Sequence, residues 1–203
     1  MFVQQRFVQI AFVTVAEWDA DMKNGINKST LRIALCGVVS ALGLVLMLLT
    51  SLVPVGTYAF PCFAGIFIAA IVVEYGYKWA LGVFAVVSVL SVFLAGDKEA
   101  VLYFIALFGY YPIFKGAIEK HLKNRAVQYI LKFVLFNIAA IGSFFIAMSL
   151  LSIPAEEFTI FGVYVPFVFL AAGNVFFLFY DFAVTVFVGQ YVVRLRGKIF
   201  DKK

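Results

Sequence analysis

The sequence predicts an all-α integral membrane protein, a six-transmembrane-helix bundle with both termini on the inner side (N-in/C-in). Three observations carry that prediction. The 203 residues are 65% hydrophobic and only 13% charged, with a mean hydropathy of +1.04. A soluble domain is roughly 45–50% apolar and about 25% charged, and one soluble core cannot hide this much apolar surface. The apolar residues fall into six long runs. The basic residues collect on one side of those runs. Intrinsic disorder needs low hydrophobicity, and two cysteines cannot frame a disulfide scaffold; both classes are excluded.

The runs follow in order. The first is Leu31 to Val53, closed by Pro54. The second is Ala59 to about Val73, with Pro61 in its first turn, where proline is tolerated. The third is Trp79 to Ala95. The fourth is Ala100 to about Ala117 and contains Pro112. The fifth is Val127 to Ile153, closed by Pro154. The sixth is Val163 to Val193. Each approaches or exceeds the length needed to cross a hydrocarbon core of about 30 Å. The strands of a closed barrel would alternate with period two, and these runs are continuously apolar for longer than such a strand needs.

Charge sets the orientation. Six helices place both chain ends on one side, and 14 of the 16 Lys and Arg residues fall there. The opposite side holds Lys98 alone, between Asp97 and Glu99, with Glu156 and Glu157 in the last outer loop. The net charge of +5 therefore belongs to loops, and no basic stripe points to nucleic acid. Residues 1–21 form an N-terminal extension, too short and polar to span and with acidic flanks wrong for a signal peptide. Met22 opens an ordinary basic lead and is a candidate true start; an interfacial amphipathic segment is the other reading of 1–21. The membrane domain is then 22–203.

Enzyme signatures are missing: no HExxH, GxSxG, Walker A or GxGxxG pattern occurs. With one histidine, His121, no metal site is expected, and no cofactor. Cys36 and Cys62 read as reduced, small hydrophobes.

Polar residues inside the runs are costly unless they face the bundle or a cavity. Asn174, Leu178, Asp181 and Thr185 line one face of the sixth run. Asp181 lies roughly 18 Å from its inner end. Asn137 and Tyr110 are expected in the same layer near the midplane. Asp181 reads either as a structural hydrogen-bond hub or as a substrate or ion ligand. Lys132 is about 140° around its helix from Asn137, and its expected fate is to snorkel to the inner interface.

On the outer side, the loop from Val55 to Pro61 and the loop from Ala95 to Glu99 supply aromatic faces, hydroxyls and both charge signs. With Tyr103 one turn into the fourth helix, they form a candidate pocket in which Tyr58, Phe60 or Tyr103 would stack on a flat organic ring. In the first helix Ala34, Gly37 and Ala41 form a small-residue stripe that lets helices approach closely in lipid. Packing inside the bundle and docking onto another subunit are both open.

Size, topology, the basic N-terminal lead, the first helix LRIALCGVVSALGLVLMLL and the VPVGTYAFP loop together resemble the substrate-binding S components of energy-coupling factor (ECF) transporters. The resemblance covers about Met22 to Lys203. It implies a bacterial cytoplasmic-membrane protein that captures a small organic micronutrient, a vitamin or precursor, from outside. The family's Ala-x-x-x-Ala docking motif corresponds here to Gly37-x-x-x-Ala41, with Ala34 a turn earlier. The implied partners are a transmembrane coupling subunit and two cytosolic ATPases. The implied substrate residues are Tyr58, Phe60, Asp97, Glu99, Tyr103, Asn137 and Asn174. The absence of an N-terminal histidine favours an organic ligand over nickel or cobalt. Two alternatives stand beside this one: a non-transporting membrane assembly protein, and a self-sufficient carrier that couples protons through Asp181.

Overall fold

The computed structural model describes residues 26–53, 56–150, 159–160, 163–164 and 166–195. Six of its helices are long and apolar enough to cross a membrane. They are α1 (Ile26–Leu49), α2 (Gly56–Tyr75), α3 (Tyr77–Leu94), α4 (Lys98–His121), α5 (Arg125–Leu150) and α6 (Pro166–Gln190). α6 continues into a π-helical turn at Tyr191–Leu195. A two-residue antiparallel pair, β1 (Thr159–Ile160) with β2 (Val163–Tyr164), precedes α6.

Number and order match the six apolar runs. The boundaries differ where polar residues prolong a helix beyond its apolar stretch: α1 begins at Ile26 rather than Leu31, and α4 runs on to His121 rather than Ala117. Hydropathy marks the lipid-embedded part of a helix, whereas backbone hydrogen bonding continues into the interface. The 1–21 extension, Met22 and the Glu156–Glu157 loop lie outside the described residues.

α2 is the central helix. Of its most apolar stretch 61% is buried, against 17–28% for α1, α3, α5 and α6. Its small residues Ala64, Gly65, Ala69 and Ala70 face neighbours and allow close helix approach, the main source of association in lipid. Two apolar clusters flank it. One joins α1, α2, α3 and the start of α4 around Val39, Met47, Ile68, Val83 and Phe104. The other joins α2, α4, α5 and α6 around Tyr111, Phe136, Phe177 and Tyr180. The turn from α2 to α3 is a single residue, Gly76, at φ 79°, a left-handed conformation that favours glycine.

α4 is not uniform. It is α-helical over Lys98–Tyr103, π-helical over Phe104–Phe108 and α-helical again over Tyr111–His121. Gly109 N–H donates to the Phe104 carbonyl at 2.7 Å, the five-residue step of a π turn. Pro112 has no N–H to return to the carbonyl four residues earlier, that of Phe108. The Tyr180 hydroxyl of α6 donates to that carbonyl instead, at 2.9 Å. Gly65 makes room for the exchange: a Cβ there would lie 2.4 Å from both the Phe108 oxygen and the Tyr180 hydroxyl.

Candidate functional site

The two ends of the bundle differ in chemistry. At one end, here the carboxylate end, the α1–α2 and α3–α4 connections meet. Ser51 Oγ accepts the backbone N–H groups of Gly96 and Asp97, both at 3.1 Å. Asp97 caps α4 by accepting from Ala100 N at 3.0 Å, and its other oxygen accepts from Thr57 Oγ1 at 2.8 Å. An acidic N-cap of this kind suits the positive end of the helix dipole. Glu99 Oε1 accepts from Tyr103 at 2.7 Å and from Tyr58 at 3.2 Å. The two tyrosine rings stand 5.1 Å apart at 33°, and Tyr58 is 53% exposed. Lys98 turns away: its ammonium donates to the Val92 and Ala95 carbonyls at 2.7 and 2.8 Å, capping the C-terminus of α3.

Five of the residues expected in the outer pocket are therefore neighbours. Glu99 joins Tyr58 and Tyr103, and Asp97 joins Thr57, in two adjoining hydrogen-bonded groups. Phe60 lies beside them, its ring against Gly56, where a Cβ would be 2.4 Å away. Thr57 and Ser51 complete the cluster and were not singled out by sequence. Thr57 sits within the VPVGTYAFP loop, but a hydroxyl that bonds 40 residues away leaves no local signal.

Asn137 of α5 and Asn174 of α6 pair with each other. Each amide donates to the other's oxygen, at 2.8 and 3.0 Å. Each also donates within its own helix, to Phe133 and Leu170 at 2.9 and 2.8 Å. All four N–H donors are used, so the pair is a clamp between two helices. The expected face of α6 is interrupted by Leu178, which is 47% exposed.

Asp181 belongs to a separate layer, seven residues on from Asn174. It is 9% exposed and receives Tyr111, Lys115 and Lys132 on one carboxylate oxygen. Lys132 lies 3.3 Å from Asp181 and 2.6 Å from Glu119. Lys115 pairs with Asp181 and lies 3.2 Å from Glu119. Two cations and two anions thus balance across α4, α5 and α6. Such a group is tolerable at membrane depth only with its charges and donors satisfied together. A cavity of about 10 Å³, enough for one water, adjoins it between Ala69, Val72, Lys115, Glu119, Thr185 and Val188.

Three expectations are corrected here. Asn137 does not share the Asp181 layer; its amide is paired with Asn174, two turns earlier on α6. Lys132 does not snorkel to the interface; it is 2% exposed, because carboxylates on both neighbouring helices lie within reach of its ammonium. Tyr110 does not join the Asp181 layer; it packs edge-on to Phe84 and Phe114, and Tyr111 takes its place. The π turn adds a residue just before this point and rotates the register. Glu119 and Lys115 are the members that sequence reasoning missed, since the positive-inside count assigns such residues to loops. Their i,i+4 spacing was the available signal.

On α1, Ala34, Gly37 and Ala41 all face out of the bundle, and a Cβ on Gly37 would meet nothing within 4 Å. Among the described residues no group of three or more His, Cys, Asp or Glu is placed to hold a metal ion. No family model, curated protein or solved structure matches the chain.

Proposed function

We propose that this chain is the substrate-capture subunit of an ECF-type importer. It would take a small organic micronutrient at the carboxylate end and dock through α1 onto a transmembrane coupling subunit served by two ATPases. In this proposal the carboxylate end faces outward and both termini lie inside, in a bacterial cytoplasmic membrane. The observation that carries the reading is the Ala34–Gly37–Ala41 stripe. Small residues suit close helix packing, yet this stripe is turned away from the chain's own bundle. The Tyr58, Glu99, Tyr103 cluster supports it by offering two aromatic faces and a carboxylate near the surface, the mix a ligand pocket uses.

Affinity purification of the tagged chain from its native membrane tests the docking half. A coupling subunit and two ATPases should co-purify and be lost with Gly37→Leu. Recovery of the chain alone, or with unrelated membrane proteins, would remove the importer reading in favour of an assembly role. Calorimetry of the purified chain against a set of vitamins tests the other half. A binder weakened about tenfold by Tyr103→Phe is expected, as for loss of one buried hydrogen bond to a ligand.

The buried charge quartet supports a second reading, a self-sufficient carrier using Asp181. Proton-dependent uptake by vesicles holding this chain alone, lost in Asp181→Asn, would select it.

A further inference from the structure

Lys115 and Lys132 meet carboxylates; among the described residues Arg32 does not. It lies in α1, inside the candidate span that starts at Ser29. Its guanidinium carbon sits 5.5 Å from the Tyr75 ring centre and 5.2 Å from that of Trp79. Those rings come from the end of α2 and the start of α3, so three helices fix the side chain. Its Nε is buried with no hydrogen-bond partner, and so is the Tyr75 hydroxyl. Among the described residues no side-chain hydrogen bond or ion pair joins Arg32.

An arginine keeps its charge at any physiological pH, and a cation without a counter-ion at the edge of the hydrocarbon region is costly. The rings hold the planar fork in place by cation–π attraction but accept none of its N–H bonds. Arg32 Nε and the Tyr75 hydroxyl are thus two buried donors, side by side, without an acceptor. A phosphate diester supplies the missing acceptors in a geometry that the guanidinium matches with two parallel bonds. The flanks indicate where it comes from. Leu31 and Ile33 are 44% and 59% exposed beside Arg32, and Leu81 is 54% exposed just past Trp79. These offer an apolar path for acyl chains directly below a headgroup.

We propose that Arg32, caged by Tyr75 and Trp79, binds the phosphate of an anionic phospholipid in the leaflet at the basic end of the bundle. The site is independent of the importer reading and of what binds at the carboxylate end.

Native mass spectrometry of the full chain in detergent, titrated with dioleoylphosphatidylglycerol, tests it. Retained lipid should fall about tenfold in Arg32→Gln, the loss expected for charge-assisted hydrogen bonds. Arg32→Lys should bind several-fold more weakly than the wild type, since it keeps the charge but loses the fork. Unchanged lipid retention in Arg32→Gln would overturn the site. If that variant fails to fold, Arg32→Lys decides, and wild-type retention there would overturn the assignment. Millimolar glycerol 3-phosphate should not displace the lipid; displacement would show a site for free phosphate esters and sink the lipid assignment.

Discussion

The two halves of the bundle are held by different means. α1, α2 and α3 meet through apolar and small side chains around Met47, Ile68, Ala80, Val83 and Val87, and close approach supplies their stability. α4, α5 and α6 carry an apolar cluster as well, but polar bonds join them: the Asn137–Asn174 clamp, the Lys115–Glu119–Lys132–Asp181 quartet and the Tyr180–Phe108 bond. The lesson concerns tolerance. The first half should accept volume-conserving apolar changes at little cost. In the second, each polar group depends on partners from another helix, and deleting one strands the rest.

The largest effect should come from the quartet. Asp181→Ala leaves two lysines sharing one carboxylate, and about 3–5 kcal/mol of stability should be lost, as when one partner of a buried pair is removed. Thermal unfolding in detergent would measure it. Adding Lys132→Met restores the charge balance between Lys115 and Glu119. The double variant should therefore lose less than the sum of the singles; strict additivity would mean that the quartet is not coupled.

Gly65→Ala comes next. Its methyl would press on the Phe108 oxygen and the Tyr180 hydroxyl, for a cost of about 1–3 kcal/mol by overpacking. Loss of the Tyr180 bond adds to it. A matching decrease in Tyr180→Phe, with no further loss when the two are combined, would place the effect at that bond.

The Asn clamp should be weaker. Asn174→Ala leaves the Asn137 amide without its partner, and a loss near 1 kcal/mol is expected from interhelical hydrogen bonds measured in membranes. Asn137→Leu with Asn174→Leu should recover much of it, since neither helix then carries an unpaired amide.

The smallest effect belongs to the first half. Gly37→Ala touches nothing and should leave unfolding unchanged or raise stability by up to about 1 kcal/mol through helix propensity. A marked destabilisation would mean that the stripe packs within the fold after all.

The same contrast explains what the sequence made legible. Six spans and their order follow from hydropathy, because lipid forces long apolar runs. The cluster at the carboxylate end was legible as two loops rich in Tyr, Asp and Glu, whose meeting only the fold reveals. The quartet was hidden because its bonds link residues 49 and 66 positions apart. A lysine near a helix end also looks the same in sequence whether it reaches water or a carboxylate. Tyr110 and Tyr111 differ by one position, and the π turn before them changes which one faces α6.

The Phe108 carbonyl also bears on how the chain is made. While α4 enters the membrane, Pro112 leaves that oxygen without its helical donor. The replacement, Tyr180, lies 72 residues further along the chain. Asp181, the counter-ion shared by Lys115 and Lys132, arrives beside it. Until α6 is synthesised, α4 and α5 hold the Phe108 carbonyl without this donor and two lysines with Glu119 as their one carboxylate among the described residues. A chain that ends short of Tyr180 lacks both the donor to the Phe108 carbonyl and the carboxylate shared by Lys115 and Lys132.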